Sequence, residues 1–168
     1  MSTFRPENSN MVRRAFREGR PFDRIVAAFT TRRPAAKASH GDLNTGLHTG
    51  DDPINVIENR RLVFGDLELD PNSFTAAQQV HGDNIERVDR NQCGMGALHY
   101  QDAIPATDAL ITDVPGIPIG VFTADCVPIF LYDPGRMAVG IVHAGWRSTV
   151  LEIASKTVKK MAQEFGSN

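Results

Sequence analysis

Four apolar runs in the second half of the chain, DALITD, IPIGVFTA, VPIFLYD and MAVGIVHA, most limit what it can fold into. Each has the length of a strand, and Pro115-Gly116 and Pro134-Gly135 supply turn signals between them. Strand-like runs outnumber helical ones and do not alternate regularly with them. The expectation is an α+β domain of mixed sheets packed with helices, not a doubly wound sheet. One run is discordant. In TADCVPIF, Asp125 stands beside Cys126 with Pro128 two residues on. An unpaired carboxylate gains nothing in an apolar strand, and proline removes a ladder donor there. Local rules broken inside a clear element point to a site.

The remaining elements are simpler. Asp51 or Asp52 can cap a helix with Pro53 at its first position, running through INVIENRRLVF and stopping at Gly65. RIVAAFT reads as a strand, whereas residues 1–22 read as irregular or weakly helical. FTAAQQVHGDNIERV suggests two short strands with His81-Gly82-Asp83 at the corner. A long polar stretch over residues 31–52 and a Gly-containing one over residues 89–106 read as loops, a length more often functional than idle. The last helix shows an apolar stripe of Val150, Leu151, Ala154, Val158, Met161, Ala162 and Phe165. Ser148 or Thr149 would cap its start and Gly166 its end.

At 168 residues with 41% hydrophobic composition, one domain spanning 1–168 with a real core is expected. The net charge of −2 gives no support for nucleic acid or an anionic membrane as the main partner. Arg13, Arg14, Arg17 and Arg20 read as a solvated face. Residues 1–20 hold no apolar core, so a secretory leader is not expected; no run is long enough to span a membrane, and two cysteines are too few for a disulfide framework. A cytoplasmic protein is expected.

Three residues could carry chemistry: His81 in QVHG, Cys126 in TADC and His143 in VHAGWR. Their spacing fits no zinc-finger pattern. A thiolate and two imidazoles nevertheless form a good zinc set, and three ligands with an open fourth position belong to catalytic zinc. The plainer alternatives stay open: a small core cysteine, a polar turn histidine and a satisfied core histidine. Asp125 could cap backbone donors. Arg147 could bind an anion such as phosphate or lie with its stem on Trp146. Cys93 and His99 sit in the second loop, His40 and His48 in the first.

HTGDDPINVIENRR, QQVHGDNIERV, TDALITDVPGIPIGVFTADCVPIFLYD and VGIVHAGWRSTVLEIASKTVKKM together resemble the bacterial laccase-domain proteins. That family is also called multicopper polyphenol oxidase, purine nucleoside phosphorylase and peptidoglycan editing factor. The likeness covers roughly residues 25–165. It implies a mixed-sheet, cysteine hydrolase-like fold and a metal held by His81, Cys126 and His143. It implies phosphorolysis of purine nucleosides, with adenosine deamination also attributed to the family. Asn44 in LNTG and Arg32 in FTTR resemble the family's substrate-side residues. Family members usually continue well past the helix after HAGWR, so the resemblance implies a chain lacking the family's C-terminal third.

The expected partners are therefore a purine nucleoside and phosphate, with zinc preferred over copper and the oligomeric state left open. Cys126, His143, His81 and Asp125 would be catalytic, Asp125 as proton shuttle, and Arg147, Asn44 and Arg32 would bind substrate. A multicopper oxidase needs more imidazoles than the five histidines of this chain. A metal-free hydrolase with Cys126 as nucleophile and His143 or His81 as base is the second class. A binding module without turnover is the third.

Overall fold

A computed structural model describes residues 12–14, 24–31 and 43–167. The chain divides into two compact units, Met1–Pro71 and Asn72–Asn168. In the first, β1 (Val12–Arg14) pairs antiparallel with β2 (Ala28–Thr30), Val12 opposite Thr30. A strand thus falls within the stretch read as irregular or weakly helical, and the one expected over residues 24–30 keeps only its last three. The side chains of the basic cluster lie outside the described residues.

Helix α1 (Pro53–Asp66) begins as its sequence dictates: the Asp52 carboxylate accepts the Ile54 N–H at 2.9 Å, with Pro53 at the first position. Such a cap is worth about 1 kcal/mol. The helix buries Val56, Val63 and Phe64, and with them the polar Asn59 and Arg60.

In the second unit, β3 (Thr75–Ala76) pairs in parallel with β6 (Ile119–Gly120). A four-stranded mixed sheet runs in the order β4 (Ile85–Arg87), β5 (Ala109–Thr112), β8 (Ala138–Ala144), β7 (Val127–Asp133). β4 and β5 are parallel, and the other two pairs are antiparallel. All four β5 residues are buried, with alternate side chains going to opposite faces. Ala109 and Ile111 join Ile85, Val142, Ile153 and Met161 on one face. Leu110 joins Val88, Ile104, Ile117 and Ile141 on the other. Each fully buried side chain such as Leu110 or Ile111 contributes about 1.5–3 kcal/mol. β7 is an edge strand, which is where a sheet tolerates Pro128.

The last helix differs from its expected form. α2 (Trp146–Val150) is a single short turn, and α3 (Ile153–Phe165) starts afresh after Glu152, whose φ of 61° breaks the path. Ser148 is therefore buried inside α2 and caps nothing, and Thr149 lies within the same turn. α3 buries Ile153, Thr157 and Met161, a row of every fourth residue, and ends at Gly166 with φ 68°. The row is turned from the expected stripe, so Val150 and Val158 are exposed. Thr157 can face the core because its hydroxyl donates to the Ile153 carbonyl at 2.8 Å. Among the described residues no helix is long and apolar enough to cross a membrane.

Candidate metal centre

The sheet brings the three candidate residues together. β7 and β8 pair with Val127 opposite Ala144 and Pro128 opposite His143, so Cys126, on the bend just before β7, arrives beside Gly145. Across β8, Ala109 lies opposite Val142, and the His143 N–H donates to the Asp108 carbonyl at 2.7 Å. On the far side of β5, the Asn84 carbonyl accepts the N–H groups of Asp108 and Ala109. That anchors the turn carrying His81 at the head of the same strand.

The result is compact. Cys126 Sγ is 3.7 Å from His81 Nε2, and the two imidazole rings lie edge to face with centroids 4.7 Å apart. One ligating atom from each of His81, Cys126 and His143 falls within 4.8 Å of the others. His81 is exposed, Cys126 half-buried and His143 buried. Zinc–sulfur and zinc–nitrogen bonds at tetrahedral angles separate sulfur from nitrogen by about 3.6 Å. The Cys126–His81 separation already meets that spacing, and the soft thiolate with two imidazoles is a donor set zinc accepts. The residues fit the metal.

Asp108 organises the set. Its Oδ1 accepts the His81 N–H at 3.0 Å and faces His143 Nδ1 at 2.8 Å. Its Oδ2 accepts the Val80 and Gly82 N–H groups at 3.1 and 2.8 Å. With Nδ1 engaged, His143 keeps Nε2 for another partner. The three converging N–H groups form an anion nest, and they hold His81 at φ 59°, a left-handed conformation few non-glycine residues adopt. Burial is the largest single influence on Asp108 and raises its pKa. The His143 imidazole, then the Gly82, Val80 and His81 N–H groups, outweigh it, and the carboxyl sits below its ordinary value.

Two further residues shape the site. Gln79 clamps the backbone of Phe122, donating to its carbonyl at 2.8 Å and accepting its N–H at 2.7 Å. This fixes the chain four residues before Cys126. A Cβ at Gly145 would lie 2.7 Å from His81 Cδ2 and 3.2 Å from Cys126 Sγ, so a side chain there would press on both residues.

The other expected residues are placed as follows. Asp125 is exposed on the bend before β7, so it is not a buried carboxylate in a strand, and the desolvation that singled it out does not apply. Arg147 is exposed and stacks on Trp146, 5.2 Å from the ring centroid. Asn44, in the first unit, spends its amide inside its own loop, donating to Thr49 Oγ1 and Asp51 Oδ2 and accepting the Gly46 N–H. Cys93 and His99 are exposed, and neither belongs to the group of His81, Cys126 and His143. His48 is exposed, while Arg32 and His40 lie outside the described residues. Sequence reasoning missed Asp108, Gln79 and Gly145. The available signal for Asp108 was its place at the head of ALIT, a run apolar enough to bury whatever leads into it.

A family model described as multi-copper polyphenol oxidoreductase laccase matches residues 26–168. The chain is 36% identical over 145 residues to purine nucleoside phosphorylase YlmD of Bacillus subtilis strain 168, covering 86% of this chain and 52% of that protein. It is 33% identical over 141 residues to adenosine deaminase RL5 from an unknown prokaryotic organism, covering 83% of this chain and 54% of that one. The crystal structure of Bacillus licheniformis YfiH superposes with a TM-score of 0.84 at 40% identity, covering 88% of this chain and 56% of that one. The chain thus spans about half the length of the curated relatives it matches.

Proposed function

This chain belongs to the multi-copper polyphenol oxidoreductase laccase family, and from that premise we propose that it is a zinc-dependent purine nucleoside phosphorylase with adenosine deamination as a second activity. One observation carries the reading: ligating atoms of His81, Cys126 and His143 converge within 4.8 Å, beside a Gly145 whose lack of a side chain lets His81 and Cys126 approach. The names of the relatives supply the substrate class.

A zinc bound by these three residues would supply a Lewis acid with an open position. The protein's own groups do the rest. With its Nδ1 proton held by Asp108, His143 would offer its Nε2 lone pair, and Cys126 would contribute a thiolate after giving up its proton. In phosphorolysis, a phosphate oxygen forms a bond to the anomeric carbon as the bond to the purine nitrogen breaks. The exposed Arg147 guanidinium suits that phosphate's charge. α2 has only five residues, so Arg147 and not a helix dipole would carry this role. Asp125, next in the chain to Cys126, would pass the proton given up by the attacking phosphate to the leaving purine nitrogen. In deamination the same carboxyl would move a proton from the attacking water to the leaving amine. Arg32 and Asn44 remain proposed substrate-side residues on the family resemblance of FTTR and LNTG. The partners are a nucleoside and phosphate, and the setting is cytoplasmic.

The test is release of free base and ribose 1-phosphate from inosine, guanosine, adenosine and methylthioadenosine, with and without phosphate. Phosphate-dependent release that is lost in Asp125→Asn supports both the activity and the shuttle. Full turnover in Asp125→Asn removes the shuttle role. The 3.7 Å Cys126–His81 contact favours one other reading, a metal-free cysteine hydrolase. Alkylation separates the two, because a zinc-bound thiolate is protected until chelation and a free nucleophilic one is labelled at once.

A further inference from the structure

We infer that Asp108 is a positioning residue that preassembles the site, one carboxylate setting both the His81 turn and the His143 ring before any ligand binds. This rests on the reading of His81, Cys126 and His143 as a metal set. Asp108 is fully buried, and each of its oxygens accepts twice: Oδ1 serves the His81 N–H and His143 Nδ1, Oδ2 the N–H groups of Val80 and Gly82. Its backbone is fixed as well, the N–H donating to Asn84 and the carbonyl accepting from His143. A carboxylate behind a ligating imidazole fixes ring and tautomer, and here the same carboxylate also holds a second ligand's backbone in its strained conformation. The two histidines are thereby coupled.

Asparagine is the informative replacement, because it keeps the size and removes one acceptor. All four groups around Asp108 point donors or a donor-bearing ring nitrogen at it, so either flip of an amide fails somewhere. An NH2 at the Oδ2 position would confront the Val80 and Gly82 N–H groups. At the Oδ1 position it would confront the His81 N–H and donate to His143 Nδ1, driving the imidazole proton onto Nε2. That nitrogen would then have no lone pair for a metal.

The experiment is a zinc titration against a chromophoric chelator, combined with nitrogen NMR of the imidazoles in metal-free protein. Asp108→Asn is expected to weaken zinc binding by about 10–100-fold. Asp113→Asn, a surface carboxylate paired with Arg87, should leave it unchanged. In metal-free wild type the His143 proton is expected on Nδ1. A merely structural role would lower the melting temperature of Asp108→Asn while its folded form kept wild-type zinc affinity, and that result overturns the inference. So does a wild-type His143 protonated on Nε2, a readout that stands even if the variant does not fold. Wild-type protein that binds no zinc would overturn the metal reading, and the NMR arm would still decide the part played by Asp108.

Discussion

Two irregular segments of this chain are held by buried polar side chains, and they are held in opposite senses. In the first unit, donors gather carbonyls: Asn59 Nδ2 donates to the Asn44 carbonyl at 2.9 Å and Arg60 Nε to that of Thr45 at 2.8 Å. In the second, an acceptor gathers donors, the Asp108 carboxylate taking the N–H groups of residues 80–82. Arg60 and Asp108 are both almost wholly buried, at 3% and 0% exposure. Burial lowers the pKa of Arg60 to about 10. The first network closes on itself, for the Asn44 amide is consumed by its own loop. The second brings one ligating atom each of His81, Cys126 and His143 within 4.8 Å of the others. A buried polar network does not by itself mark a site; ligating atoms directed at a common point do.

The comparison can be broken from either side. The largest effect is expected from Gly145→Ala. The added methyl meets the His81 ring and Cys126 Sγ, and because His81 is exposed its ring can swing away. Zinc affinity should fall about 100-fold or more while thermal unfolding stays near wild type, since the clash is relieved by losing a ligand. Arg60→Met should do the reverse. It removes the donor to Thr45 and should cost about 1–3 kcal/mol in denaturant unfolding of the first unit. Zinc affinity should not move if the two segments are held independently.

Gln79→Ala is intermediate. Losing both contacts to Phe122 should cost about 1–2 kcal/mol and weaken zinc binding several-fold, because the stretch leading to Cys126 is loosened but no ligand is lost. The smallest effect belongs to Arg87→Ala. Its ion pairs with Asp113 and Glu164 are partly exposed, and calorimetry should show a loss below about 1 kcal/mol.

What could be read from sequence follows from how local each determinant is. Asp52-Pro53 caps α1 through contacts within two residues, so its start was legible. The Pro134-Gly135 turn separated β7 from β8 for the same reason. β6 shrank from an expected eight residues to Ile119–Gly120, because downstream a side chain, Gln79, takes up the backbone of Phe122. No local rule places Glu152 in a left-handed conformation, so the break between α2 and α3 was not legible. The three convergent side chains could be picked out by their chemistry, whereas the carboxylate that contacts His143 and the His81 backbone had only its place before ALIT to signal it. The desolvation argument was sound in form and fell on the wrong aspartate: Asp125 is exposed, whereas Asp108 is buried and satisfied by partners 26 to 35 residues away in sequence.

The central claim is that His81, Cys126 and His143 form a zinc site. It is tested most directly by elemental analysis of protein purified without added metal, beside His143→Ala checked for folding by circular dichroism. The account predicts near-stoichiometric zinc in the wild type and its loss in the folded variant. Metal-free wild type with a rapidly alkylated Cys126 would contradict it and point to a cysteine nucleophile instead.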